Sequence, residues 1–270
     1  MSAEYPSTTE LLEFALDAVA LSGRVALAEF GTDVAAKTSV KLDGMPVTET
    51  DIKVERLLRN AIAQRFPEHT AVGEEFGGGE IDDAAGSWLI DPIDGTSHFA
   101  RGEDGWAVLL SFVRQGRVEV GVISMPALGC HFWAGAGLGA YTSTTLDAGR
   151  SKGIPMLASP TRALADAGVL YQRAALDGVG RAWMDAVASA GEEGPLLGPV
   201  AVASGRADAM VLGGELDVWE VAPVSILVTE AGGSVTDFRG KPDLSARRCL
   251  VSSRLVHEAL LEAIRDDFAD

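Results

Sequence analysis

The stretch Trp88-Leu89-Ile90-Asp91-Pro92-Ile93-Asp94-Gly95-Thr96-Ser97 decides how the rest of the chain is read. An apolar strand that ends in Asp-Pro-x-Asp carries two carboxylates three residues apart to a point where the chain turns and side chains converge. With the carbonyl of Ile93 between them, Asp91 and Asp94 form an all-oxygen set suited to a hard cation such as Mg²⁺. Gly95 allows close backbone approach, and the N–H groups and hydroxyls of Gly95, Thr96 and Ser97 can donate to an anion if they open a helix. A turn with an Asx cap is the simpler account of a lone Asp-Pro-x-Asp, so the Gly-Thr-Ser that follows is what favours a site.

A second acidic signal lies just upstream in Gly73-Glu74-Glu75-Phe76-Gly77-Gly78. Paired glutamates between a short apolar strand and flexible glycines look more like a site than a solvated face.

Working outward, Leu11, Phe14, Ala15, Ala18 and Val19 have helical spacing after an N-cap at Thr8 or Thr9, which predicts an amphipathic helix toward Phe30. A loop is expected from Gly31 to Pro46, then a helix from Thr48–Asp51 that stops before Pro67. The period then shortens to that of strands at 71–73, 88–91, 106–113, 118–124, 131–134 and 140–142. Turn residues at Gln115-Gly116 and Gly137-Leu138-Gly139 make much of this sheet antiparallel. A weaker α/β half follows, with strands near Val169, at 209–212 and at 234–237, a helix from Trp219 or Val221 to Ala231, and a tail helix at 255–264. The change of pattern at Asp147–Gly153 suggests two parts, 1–150 carrying most of the site and 151–270 completing it.

The 270 residues include 39 Asp+Glu against 22 Lys+Arg, a formal net charge of −17, and 47% are apolar. Such a chain can bury a full core, but it lacks the basic excess that a nucleic-acid backbone or an anionic membrane demands. A small anionic substrate is still allowed if a metal offsets the acids around it. Two cysteines, Cys130 and Cys249, are too few for a disulfide framework, and the start shows no secretory pattern, so a cytoplasmic location is expected. The uncharged run from Val120 to Leu146 contains five glycines and reads as strands and turns, not a membrane span.

The blocks Gly73-Glu74-Glu75, Asp91-Pro92-Ile93-Asp94-Gly95-Thr96, and Trp219-Glu220 followed by Thr229-Glu230-Ala231-Gly232-Gly233 resemble the signatures of the inositol monophosphatase family, in its order and spacing. Pro46-Val47-Thr48-Glu49-Thr50-Asp51, with Lys53 and Glu55, resembles the family's N-terminal element. GEEFGG and the run from Phe99-Ala100-Arg101-Gly102 to Trp106-Ala107 are most similar to the histidinol-phosphate phosphatase branch. The resemblance implies an α+β fold in α-β-α-β-α layers, a homodimer, and a phosphomonoesterase using two or three Mg²⁺ ions, with Mn²⁺ as a substitute. It also implies roles for residues. Glu74 would bind a metal and orient the attacking water, Asp91 would bridge two metals, the Ile93 carbonyl would serve the first, and Asp94 and Glu220 the second. Asp51 would face a third. Thr96, with Glu74 or Asp51, would position and deprotonate the nucleophile, while Asp94, Gly95, Thr96 and Ser97 would hold the substrate phosphate.

The chain departs from the family pattern at Glu220, where Asp is usual and Asp217 competes for the role, at His98 in place of Asn, at Gly194-Pro195-Leu196-Leu197-Gly198, and at Pro223. These changes gather around the substrate, so the readings extend from L-histidinol phosphate to inositol 1-phosphate, to a sugar or nucleoside phosphate, and to a metal-binding homologue without activity. His69, His131 and His257 lack ligand spacing and read as structural. Gly135-Ala136-Gly137-Leu138-Gly139 reads as a hairpin, not a nucleotide loop.

Overall fold

Helix α1 (Thr8–Glu29) forms where the apolar spacing places it, but its N-cap is Ser7 and not the expected Thr8 or Thr9. The Ser7 hydroxyl accepts from the Glu10 N–H, and the Glu10 carboxylate accepts from the Ser7 N–H, closing a capping box. The structure is a computed structural model that describes residues 5–33, 37–41, 46–82, 84–146, 153–176, 180–214 and 216–266. Two units emerge, Met1–Ala136 with Thr142–Ile154, and Gly137–Tyr141 with Pro155–Asp270. The expected boundary at 147–153 falls almost wholly on residues 147–152, outside the described ones.

In the first unit, the segment expected as a loop carries two short strands, β1 (Thr38–Val40) and β2 (Pro46–Thr48), which pair antiparallel. Next come α2 (Glu49–Arg65), β3 (Thr70–Gly73), β4 (Ser87–Asp94), α3 (Thr96–Arg101), β5 (Ala107–Arg114), β6 (Arg117–Met125) and β7 (Cys130–Gly135). The sheet order is β3-β4-β5-β6-β7. The pairs from β4 to β7 are antiparallel, as the turn residues imply, whereas β3 runs parallel to β4. Helices α1 and α2 lie against this sheet through Leu11, Ala15, Val19, Val54, Leu58 and Ile62, all buried. At the β4 end of the core, Trp88 packs edge-on against Phe14 (5.1 Å) and tilted against Phe112 (5.0 Å), and its indole N–H donates to His69 Nδ1 at 3.1 Å.

Strands β8 (Gly139–Ser143) and β9 (Ile154–Pro155) lie where the chain passes from one unit to the other. The second unit continues with β10 (Gly168–Tyr171), β11 (Ser189–Glu192), α4 (Leu197–Ala203), β12 (Ala209–Gly213), α5 (Val218–Glu230), β13 (Gly233–Asp237), β14 (Arg248–Ser253) and α6 (His257–Asp266). Its sheet has the order β11-β10-β12-β14-β13, parallel on the β10 side and antiparallel around β14. Strand β14 was not anticipated from sequence, although it pairs with two neighbours. Leu260, Leu261 and Ile264 of α6 close a core with Val169, Val211, Leu250 and Trp183. Each unit thus layers helices on a mixed sheet, and the α+β class holds.

Glu230 has a local task in this second unit. Its carboxylate accepts the N–H groups of Gly137 (3.0 Å) and Gly139 (2.9 Å), so the glycine run is a hairpin corner held by a helix carboxylate. Pro223 is the sixth residue of α5, not part of its first turn, so the helix forgoes the bond from position 223 to the Trp219 carbonyl.

Replacing Trp88 with Ala removes the centre of the aromatic box and is expected to cost about 3–5 kcal/mol. Urea unfolding followed by tryptophan fluorescence and circular dichroism measures it; a loss below about 1 kcal/mol would contradict this packing account.

Candidate active site

The parallel pairing of β3 with β4 brings the C-terminal end of β3 beside the residues of β4 just before Asp91. Gly73 is opposite Ile90, and the Glu74 N–H donates to the Ile90 carbonyl at 3.2 Å. Glu74 and Glu75 therefore leave the sheet beside the point where Asp91 to Asp94 begin.

A bulge then sets the direction of the two aspartates. Residues three apart on a regular strand point to opposite faces. Here Asp91 pairs with Leu109 and Asp94 with Ala107, so three steps on β4 match two on β5 and the same-face parity is restored. Pro92 lies inside this irregularity, where its missing N–H removes no regular ladder bond.

Gly95 follows at φ 80°, and a Cβ there would stand 2.6 Å from the Gly105 carbonyl oxygen, so both conformation and space require glycine. It opens α3, with the N–H groups of His98 and Phe99 donating back to its carbonyl (2.8 and 3.1 Å). Thr96 is buried, and its hydroxyl lies 3.1 Å from Asp51 Oδ1 and 3.0 Å from the Ile93 carbonyl oxygen, two acceptors for one proton. Ser97 is exposed in the same turn.

Asp51 arrives from the start of α2, where it also closes a capping box: its other oxygen accepts the N–H (2.9 Å) and hydroxyl of Thr48. Burial pushes its carboxyl above the usual range and the Glu74 charge adds to this, against the bonds from Thr48 and Thr96. Glu75 is pushed up to about 7, first by burial and then by the charge of Glu74, with Lys41 opposing. Asp94 is pushed up to about 6 by burial and by Glu74, partly offset by His98 and the Gly95 N–H. Asp51, Glu74, Glu75 and Asp94 are therefore within electrostatic reach of one another.

Lys41 was missed in the sequence reading, although it is the cation of this cluster. Its ammonium lies 2.7 Å from both Glu74 Oε1 and Glu75 Oε1. Burial would lower its pKa, but the two carboxylates outweigh that and raise it. Nothing local marks a lysine in a segment read as loop; its partners are 33 and 34 residues away.

Glu220 and its competitor Asp217 belong to the second unit, where they share a capping box at the start of α5. Glu220 Oε2 accepts the Asp217 N–H at 2.6 Å. The spacing Asp217-x-x-Glu220 signals such a box. Glu215, beside them in sequence, lies outside the described residues. His98 is half exposed, with its ring nitrogen 2.7 Å from Glu103, which also receives Arg101. His131 meets the Ser124 hydroxyl and His257 those of Ser252 and Thr236, so both have the structural roles expected of them.

The donor set around Asp91 and Asp94 fits a hard divalent cation: it is made of oxygens, negatively charged, and costly to assemble without positive charge. Among the described residues, no group of three or more His, Cys, Asp or Glu is already closed to ligating distance. Also among them, no helix is long and apolar enough to cross a membrane.

Crowded oxygen donors beside a turn that donates to anions are the equipment of metal-dependent hydrolysis of phosphoric monoesters. The chain belongs to the inositol monophosphatase family, whose model matches residues 7–268; its members are divalent-metal-dependent phosphatases of small phosphorylated substrates. A Streptomyces griseus protein named glucose-1-phosphate thymidylyltransferase is 33% identical over 229 residues, covering 84% of this chain and 86% of that protein. A histidinol-phosphatase of Streptomyces coelicolor is 32% identical over 244 residues, covering 83% and 86%. Among solved structures, a Thermotoga maritima IMPase superposes with a TM-score of 0.78 at 27% identity, covering 95% of this chain and 97% of that one. These relatives differ in the activity that their names state.

The raised acids make stability depend on pH in a defined direction. Glu75 holds its proton more tightly folded (about 7) than at its ordinary 4.5, so its contribution is fully present below 4.5 and is lost as pH rises through 7. Burial lowers His69, His131 and His257, whose contributions are lost instead as pH falls, so a comparison of variants isolates the acid. Without metal, Glu75→Gln is expected to gain about 1–3 kcal/mol on the wild type between pH 5 and pH 8. Thermal melts in EDTA across that range check it; parallel curves would contradict it.

Proposed function

We propose that this chain is a Mg²⁺-dependent phosphatase of L-histidinol phosphate, acting in the cytoplasm as a homodimer. The observation that carries the phosphatase chemistry is the Thr96 hydroxyl, held between Asp51 and the Ile93 carbonyl at the foot of the acidic cluster. The support for histidinol phosphate is the Streptomyces coelicolor relative together with the run from Phe99 to Trp106. Phe99 and Trp106 pack edge to face at 4.9 Å, and Gly102 at φ 72° closes α3 between them.

Divalent cations held by Glu74, Asp91, the Ile93 carbonyl and Asp94, with Asp51 at a further position, would offset charge on the phosphoryl oxygens and acidify water. Thr96 accepts a hydrogen bond from the attacking water while its own proton points to Asp51. That chain of bonds lets Asp51, helped by Glu74, take the water proton as the oxygen approaches phosphorus. The N–H groups of Thr96 and Ser97 receive the phosphate oxygens at the start of α3. The P–O ester bond breaks, the leaving oxygen takes a proton from a solvent water, Asp51 returns its proton to solvent, and inorganic phosphate remains. His98, steadied by Glu103, lies beside this turn and is the residue by which the chain would tune its substrate.

Inositol 1-phosphate is the second reading, favoured by the similarity to the Thermotoga maritima IMPase. Phosphate release from both esters, in Mg²⁺ and in EDTA, ranks them. Metal-dependent turnover that is faster for histidinol phosphate and falls about a hundred- to a thousandfold in Asp94→Asn is expected. Faster turnover of inositol 1-phosphate would overturn the substrate, and turnover surviving both EDTA and the substitution would overturn the mechanism.

A further inference from the structure

Glu55 lies on α2, one turn after Asp51, and is fully buried. It has no part in the chemistry described above. Its carboxylate nevertheless makes three bonds: Oε2 accepts the Glu75 N–H at 2.7 Å, and Oε1 accepts the Phe76 N–H at 3.2 Å and Arg59 Nε at 2.7 Å. Arg59, one turn further on, donates Nη1 to the Ala71 carbonyl at 2.8 Å and Nη2 to the Gly77 carbonyl. One carboxylate thus takes amide groups of the 73–77 turn, and one guanidinium takes the carbonyls that flank it. The Phe76 ring completes the clamp, 5.7 Å from the Arg56 guanidinium and 5.8 Å from that of Arg59.

Gly73 has its explanation here. A Cβ at that position would stand 2.3 Å from Glu55 Oε1, so the glycine that precedes the two glutamates makes room for a carboxylate from another element. Bonds from backbone N–H to an ionised carboxylate are roughly twice as strong as neutral ones, and the partnership with Arg59 balances the charge that Glu55 would otherwise add to the acids nearby.

We infer that the pair formed by buried Glu55 and half-buried Arg59 is the positioning device of the site: it fixes the 73–77 turn so that Glu74 and Glu75 are presented together to a divalent cation that neither Glu55 nor Arg59 touches. The inference rests on the metal-dependent reading above and adds to it the residues that aim the ligands. Its energetic sense is preorganisation. A turn free to sample other conformations would let Glu74 and Glu75 separate and relieve their repulsion, and a cation would then have to bring them back.

The test uses the full chain, with Mn²⁺ as the probe. Glu55→Gln keeps the side-chain volume but has one acceptor atom where two were used, and Arg59→Gln removes the carbonyl clamp from the more exposed side. Ile62→Val, on the same helix but away from the turn, serves as the control for plain destabilisation. Calorimetric titration of folded protein is expected to show Mn²⁺ binding about 10- to 100-fold weaker in Glu55→Gln and Arg59→Gln, and unchanged in Ile62→Val. Hydrogen exchange at the Glu75 and Phe76 amides, measured without metal, is expected to be about tenfold faster or more in the two clamp variants. Weaker binding with faster exchange supports the inference. Variants that melt earlier yet bind Mn²⁺ within about twofold of the wild type would overturn it, since a merely structural role predicts that pattern. Failure of the wild type to bind Mn²⁺ would instead overturn the metal-dependent reading on which the inference rests.

Discussion

Four carboxylates held within reach of one another in partly buried surroundings set the terms for everything else in the first unit. Asp51, Glu75 and Asp94 all hold their protons more tightly than they would in water, and burial together with the charge of Glu74 is the cause. Left to itself such an arrangement separates or takes up protons. It persists because the backbone leaves the side chains little choice: β3 runs parallel to β4 and ends opposite Ile90, one residue before Asp91, a bulge turns Asp94 back to the face of Asp91, and α2 delivers Asp51 through a capping box. The ammonium of Lys41 supplies the one lysine charge seen among the described contacts of this cluster. A fold that spends so much structure on holding acids together is one whose function needs cations there.

Several parts of this were legible in the sequence, for reasons that are local. The strand from Trp88 to Ile90 declares itself by composition, Gly95 by the turn it must make, and α1 and α2 by the spacing of Leu11, Val19, Val54 and Ile62. What escaped depends on distant partners. The bulge between Asp91 and Asp94 exists only relative to β5. Glu55 stands among family-like residues, but its carboxylate gains meaning from amides 20 and 21 residues away. Strand β14 shows why composition alone misleads: Arg248-Cys249-Leu250-Val251-Ser252-Ser253 is short and flanked by polar residues, yet it is buried between β12 and β13.

The second unit gives a different lesson. Glu220 was read by resemblance as a ligand, and its side chain here accepts the backbone N–H of Asp217, a job that any carboxylate at the third position of a helix can do. The same residue can serve a helix end and a ligand set, because a carboxylate has more lone pairs than one N–H occupies. Glu230 likewise belongs to a family-like block, and its work is to hold the corner at Gly137 and Gly139. Residues of a shared signature therefore divide between chemistry and architecture, and only their partners separate the two.

Diffraction from crystals soaked in Mn²⁺, recorded near the manganese absorption edge, tests the central claim most directly, because anomalous scattering locates the ion independently of any enzyme assay. The account predicts anomalous peaks at coordination distance, about 2.0–2.3 Å, from carboxylate oxygens of Glu74, Asp91 and Asp94. Peaks confined to other parts of the chain, with these carboxylates unliganded and Lys41 still between Glu74 and Glu75, would contradict it.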